Sequence, residues 1–363
     1  MMMRTVLVVI GAMWLWIAWF PTEISWAYRE YFTQEQKDQL AKAQTVLVEV
    51  IAITDKGTIP AEALAETVRR RLEEVGYTVV ADPAQSHDVH FRVKCEQRKT
   101  WEGTTPSGGD ADLPDSPSRV WKGPACQLNY FLGNTKIKWQ KEVRTDFPDA
   151  AEAAQAANAG DPGAFAMAKL NDKLAQYDFP VLLAAEWGQA DRLLKVLDTP
   201  GTTQVRKLKI ISLLGEMQAD EAFPKLQEAL KDKNLAQQAA VALGSTGKES
   251  IPILIDMLKN SKDPGLQAAA AKGLGQVGGL NGDATVIPPL LDMLFKPGLD
   301  TGVRTEVVWA IGKVPDKRAI DALHKLDREI QATRSDDPAY KKLKEAAFWS
   351  LKMTDTELSS ENP

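Results

Sequence analysis

One recurring phrase limits the fold of this chain more than any other feature. From Ala190 onward it runs through an acidic residue, an apolar-Pro start, a helical stretch, a polar turn, a second helical stretch and then Leu-Gly. The first stretches contain "AFPKLQEALKD", "SIPILIDMLKN", "VIPPLLDMLFK" and "AIDALHKLDRE". Pro224, Pro252 and Pro288 fall at equivalent places near helix starts, where a missing N–H costs little. The second stretches end at Leu214-Gly215, Leu243-Gly244, Leu274-Gly275 and Ile311-Gly312, with Leu351-Lys352 as a degenerate fifth copy. Successive landmarks are 29, 31, 37 and 40 residues apart. A helix pair of this length cannot bury its apolar face alone, so the pairs must stack into an all-α solenoid.

These residues resemble HEAT repeats, specifically the short phycobilisome-lyase-like variety, over about 170 residues. The resemblance implies a curved surface that binds a protein partner. Some relatives of that variety resemble bilin lyases, which attach chromophores in the cytoplasm, and this is the one enzymatic reading the resemblance offers.

The copies also align the chain with itself. One, four, five and nine residues before each landmark stand positions that are almost all apolar, including Ile210, Ile211, Ala239, Ala240, Val307, Val308, Ala347 and Phe348. They form one helical face and predict the core. Arg206 breaks the pattern in the first copy, as expected of an end repeat with fewer neighbours. Three before the landmark stand Ser212, Val241, Lys272, Trp309 and Trp349, roughly 160° from the core centre at about 100° per residue. This places Trp309 and Trp349 in register on the outward face of successive second helices. Either they form part of a binding surface, or the longer turns of the last two repeats fold over them.

The N-terminal half reads as β-α-β-β-β-α, a small α+β domain. Thr33 and Gln36 make a capping-box start for a short helix, and "TVLVEVIAIT" is a buried strand. A helix runs from Pro60 to a stop at Gly76, and "YTVV" is the next strand. Two alternating strands follow, "VHFRVKC" and "CQLNYFL". Paired with Cys95 opposite Cys126, they set Val93 against Leu128, Phe91 against Tyr130 and Val89 against Leu132. The two cysteines then form either a disulfide staple or two adjacent buried thiols. A last strand carries Ile137 and Trp139, and the Ala-rich stretch from Asp149 to Tyr177 is helical, interrupted at Gly160-Asp161-Pro162-Gly163. The order is similar to that of small domains of bacterial envelope proteins, a topological likeness without a diagnostic motif. The hairpin tip is bracketed by Trp101 and Trp121, which either clamp the loop base or flank a partner-binding finger.

The first 27 residues carry an address. Arg4 precedes the uncharged "TVLVVIGAMWLWIAWF", and Ser25-Trp26-Ala27 is a small-x-small site. This reads as a cleaved signal peptide or, since the run nearly reaches the ~17 residues that span a bilayer, a retained membrane anchor. Either places the remainder across the membrane, where a disulfide persists. The expected parts are 1–27 (signal peptide or anchor), 28–148 (α+β domain), 149–189 (helical connector), 190–353 (about five repeats) and 354–363 (disordered tail).

Other chemistries find little support. A net charge of −5 argues against nucleic acid. Gly273-x-Gly275-x-x-Gly278 matches a dinucleotide fingerprint in spacing alone, because it follows the body of a helix rather than a strand, and it is read as that helix's end. "GSTGKES" lacks the first glycine and the hydroxyl residue of a P-loop. HEAT-fold hydroxylases hold two irons with repeated His-Glu pairs; the three histidines here, His87, His90 and His324, include no His-Glu dipeptide. No cofactor or metal is expected. The expected function is an exported scaffold or adaptor with a protein partner, and the rival is an anchored accessory subunit.

Overall fold

The computed structural model describes residues 32–104, 118–333, 335 and 337–360. The 1–27 segment and the hairpin tip at 105–117 lie outside the described residues. Among those described, no helix is long and apolar enough to cross a membrane.

The N-terminal half is a mixed sheet with helices. Thr33 caps α1 (Gln34–Lys42) through a complete capping box with Gln36. Strand β1 (Thr45–Thr54) turns through Asp55-Lys56 into β2 (Gly57–Ile59), a three-residue strand too short to show alternation in sequence. Helix α2 (Glu62–Glu73) leads to β3 (Thr78–Val80), then β4 (Val89–Thr104), β5 (Ser118–Leu132) and β6 (Thr135–Arg144). The sheet order is β2-β1-β4-β5-β6, with β3 parallel to the start of β1. The observed order, α-β-β-α-β-β-β-β-α, has two strands more than β-α-β-β-β-α: the short β2, and a fourth strand after α2 where that order has three.

The β4–β5 register pairs Cys95 with Cys126, Val93 with Leu128 and Phe91 with Tyr130, and a disulfide joins the cysteines. Period-two alternation on one buried face leaves no competing register. Between Glu96 and Lys99 the register shifts at a bulge, which brings Trp101 directly opposite Trp121.

Helices α3 (Ala150–Ala156) and α4 (Pro162–Gln176) follow, broken at Gly160 as the sequence implies. The connector is more than a spacer. In α5 (Phe179–Glu186) and just after it, Phe179 and Trp187 enter the sheet's own core. Phe179 stacks on Phe91 at 5.5 Å between ring centres, while Trp187 meets Tyr130 at 5.5 Å and Tyr77 at 5.3 Å, edge to face. Burial raises the Tyr77 and Tyr130 phenols above the ordinary tyrosine value. A buried polar seam reinforces this join. Gln189 donates to Leu40 O at 2.9 Å and Ala43 O at 2.8 Å, and it accepts from the Tyr77 hydroxyl at 2.9 Å. Arg192 donates to Val75 O, Gln189 and Gln44, and its guanidinium lies 3.9 Å from the Tyr77 ring centre.

Five helix pairs then stack: α6 (Ala190–Asp198) with α7 (Gln204–Glu216), α8 (Phe223–Ala229) with α9 (Ala236–Leu243), α10 (Ile251–Asn260) with α11 (Pro264–Asn281), α12 (Ile287–Leu294) with α13 (Thr301–Gly312), and α14 (Lys317–Ala332) with α15 (Pro338–Ser360). Pro224, Pro252 and Pro288 sit in the first turns of α8, α10 and α12. Thr203, Asp263 and Asp300 cap α7, α11 and α13 through their side chains. Helix α15 continues to Ser360, past residue 354, where the sequence suggested that order ends.

Candidate partner-binding face

The landmark glycines fix how the second helices meet. A Cβ on Gly215 would lie 2.9 Å from Ala242 Cα, and one on Gly244 would lie 2.3 Å from Gly273 O. One on Gly275 would lie 2.5 Å from Ala310 Cα, and one on Gly312 would lie 2.6 Å from Ser350 Cβ. Each landmark thus abuts the residue two places before the next landmark, and that residue is always small: Ala242, Gly273, Ala310 or Ser350. The backbones of α7, α9, α11, α13 and α15 approach in an unbroken series, whereas the first helices touch their neighbours more sparsely. A stack drawn tight on one side curves toward that side, so the second helices line the inner, concave surface.

This corrects the reading of "GLGQVGG" as a helix end. Gly273, Gly275, Gly278 and Gly279 all lie inside α11, which stops only at Gly282 in the left-handed conformation (φ 59°). The extra turns are needed because the inner side of Gly278 packs on Val286 and Val314, and that of Gly279 on Lys313 O. Gly247-Lys248 forms the turn into α10, where Lys248 pairs with Asp283 at 3.3 Å.

The outward positions come out unequally. Lys272 on α11 is exposed, Trp309 on α13 is half-buried against the core, and Trp349 on α15 is 42% exposed. They lie on three consecutive second helices and form one strip. Trp309 therefore presents only part of its ring. Phe348 departs from expectation: its position is fully buried in the four earlier repeats (Ile211, Ala240, Ala271, Val308), yet Phe348 is 59% exposed. Among the described residues no further helix pair packs over this face of α15. Lys352 in place of the landmark glycine carries that information in sequence, since a lysine there cannot accept a close backbone approach. Phe348 and Trp349 meet edge to face at 5.3 Å, and the Lys352 ammonium lies 5.0 Å from the Trp349 ring centre.

A family model for HEAT repeats matches residues 190–275 and 251–352. The C-terminal region is a HEAT-repeat solenoid. A solved structure of human deoxyhypusine hydroxylase in complex with glycerol is similar at 17% identity and a TM-score of 0.27, over 54% of this chain and 86% of that one. No curated protein matches the chain. Among the described residues no group of three or more His, Cys, Asp or Glu is placed to hold a metal ion. His90 instead faces Glu49 at 2.9 Å on the open side of the sheet and stacks on Phe131, and burial lowers its pKa. Trp101 and Trp121 belong to the β4–β5 hairpin, away from the HEAT strip, and Cys95 and Cys126 staple that hairpin.

The first HEAT repeat is closed by the N-terminal half. Arg206, at an otherwise apolar position, turns to Asp178 (3.1 Å) and Glu74 (3.8 Å), and Asp178 also holds Arg71 at 2.8 Å. Its exception to the apolar pattern reflects a specific neighbour rather than a lack of neighbours.

Proposed function

We propose that this chain is an exported, non-catalytic scaffold or adaptor of the cell envelope that binds a protein partner on the concave face of its HEAT solenoid. The observation that carries the reading is the aromatic pair Phe348 and Trp349, left exposed at the C-terminal end of a strip that begins at Lys272. Exposed aromatics in one place are typical anchors of protein interfaces, and HEAT repeats commonly mediate such contacts. F348A/W349A, which truncates two exposed rings, should leave the far-UV circular dichroism and melting temperature close to wild type while weakening capture of the partner about tenfold or more. Unchanged capture would sink the assignment of this face.

Export rests on the sequence of residues 1–27, with the disulfide as a supporting observation. The rival reading, an accessory subunit anchored in the membrane by the same segment, is favoured by its 16-residue uncharged run. Intact-mass analysis of the mature protein separates the two. Export with cleavage predicts an N-terminus at Tyr28, and anchoring predicts retention of the apolar run.

A further inference from the structure

The charge along the same strip specifies the partner further. The second helices of the last three repeats, α11, α13 with Lys313 just after it, and α15, carry seven Lys or Arg against three Glu and one Asp, in a chain whose net charge is −5. Lys272 and Lys313 are exposed neighbours on adjacent helices, and neither has an acidic group within ion-pair distance among the described residues. Although the Lys313 side chain reaches solvent, neighbouring atoms partly desolvate its ammonium; that, and then the like charge of Lys272, hold it below the usual lysine value, with Glu306 pulling the other way. Lys342 stands exposed seven residues before Trp349, on the same face of α15. A run of exposed positive charge beside exposed apolar rings raises the local concentration of a ligand that is anionic and partly apolar.

Resting on the proposed scaffold function, we infer that the strip receives an acidic linear segment of a partner protein. Its carboxylates meet Lys272, Lys313 and Lys342, and an apolar side chain seats on Phe348 and Trp349. Charges of this kind govern encounter rate and salt dependence, whereas the aromatic pair governs residence.

The test uses the full mature chain and three fluorescein-labelled synthetic 14-residue peptides: alternating Glu and Leu, alternating Lys and Leu, and alternating Glu and Ser. Anisotropy titrations should show binding of the Glu-Leu peptide, weaker binding of Glu-Ser and none of Lys-Leu, with affinity falling as salt rises. K272E/K313E should bind Glu-Leu about tenfold more weakly, two exposed ion pairs being worth about that factor together. Neither lysine is buried in the core, so folding should be retained; a melting temperature equal to wild type checks this. Equal binding of Glu-Leu and Lys-Leu, no binding of either, or indifference to K272E/K313E would overturn the inference. A parallel capture from cell extract keeps the two readings apart. Capture that depends on Trp349 but ignores K272E/K313E and salt removes the acidic partner and leaves the scaffold standing. Failure of the wild type to capture any protein removes the scaffold reading itself.

Discussion

Gly244→Ala is expected to destabilise the protein by about 3 kcal/mol, at the upper end of the cost of overpacking a well-packed core. The new methyl would lie 2.3 Å from Gly273 O, 2.6 Å from Gly273 Cα and 2.8 Å from Gly273 C. All three are backbone atoms, so no rotamer change relieves the clash and α9 and α11 must separate. Because a solenoid's stability is built from nearest-neighbour interfaces, the loss should spread along the stack rather than stay local. Thermal melts followed by far-UV circular dichroism should show a fall of roughly 6–12 °C. Hydrogen exchange should show the first two repeats loosening from the last three. Gly160→Ala is the control. Its Cβ would meet nothing within 4 Å, and its backbone is outside the left-handed region, so that variant should be neutral or slightly stabilised. If Gly244→Ala melts within a degree of wild type, the close backbone contact does not set the helix spacing.

That prediction turns on something the sequence showed only in part. The spacing of Gly215, Gly244, Gly275 and Gly312 made the repeat register legible, because a residue that recurs at one slot marks a shared structural demand. It did not reveal which demand. A glycine that ends a helix and a glycine that admits a neighbouring backbone look alike in one chain, and α11 used the second role where the first was expected. The outward strip was legible for the same reason that the register was, since a fixed offset from the landmark is a fixed angle on the helix. Phe348 was misplaced because its burial depends on a following helix pair, and helix periodicity describes only the helix itself. In the N-terminal half, alternation set the β4–β5 pairing through Cys95 and Cys126, while the bulge beyond Glu96 and the short β2 left no periodic trace. Arg206 stood out as an exception to the repeat, but the residue that answers it, Asp178, lies in a segment that sequence reasoning treated as a connector.

Asp178→Ala should therefore have the second large effect, about 2–3 kcal/mol of lost stability. Asp178 accepts from Arg71 at 2.8 Å and faces Arg206 at 3.1 Å, with side chains 14%, 10% and 18% exposed respectively. Removing one member of a buried ionic group costs more than the group contributes, because the remaining charges stay buried without compensation. Partial exposure brings the expected figure below the 3–5 kcal/mol seen for fully buried pairs. Arg71 would retain Glu74 and Tyr177 O, but Arg206 would keep, among the described residues, Glu74 alone at 3.8 Å. The nearby Lys209 and Lys141 then make the junction more positive still. Urea denaturation of D178A, R206L and the double variant gives the decisive comparison. R206L restores the apolar residue that the other four repeats place there (Leu235, Leu266, Val303, Leu343), so it removes the cation that D178A strands. The double variant should recover about 1 kcal/mol or more relative to the sum of the single changes. Additive effects, or a cost of D178A below about 0.5 kcal/mol, would show that the two arginines do not depend on this carboxylate. Coupling of the expected size would mean that the connector, tied to the α+β domain through Arg71, is the N-terminal cap of the HEAT stack: it supplies a charged surface where a preceding repeat would supply an apolar one.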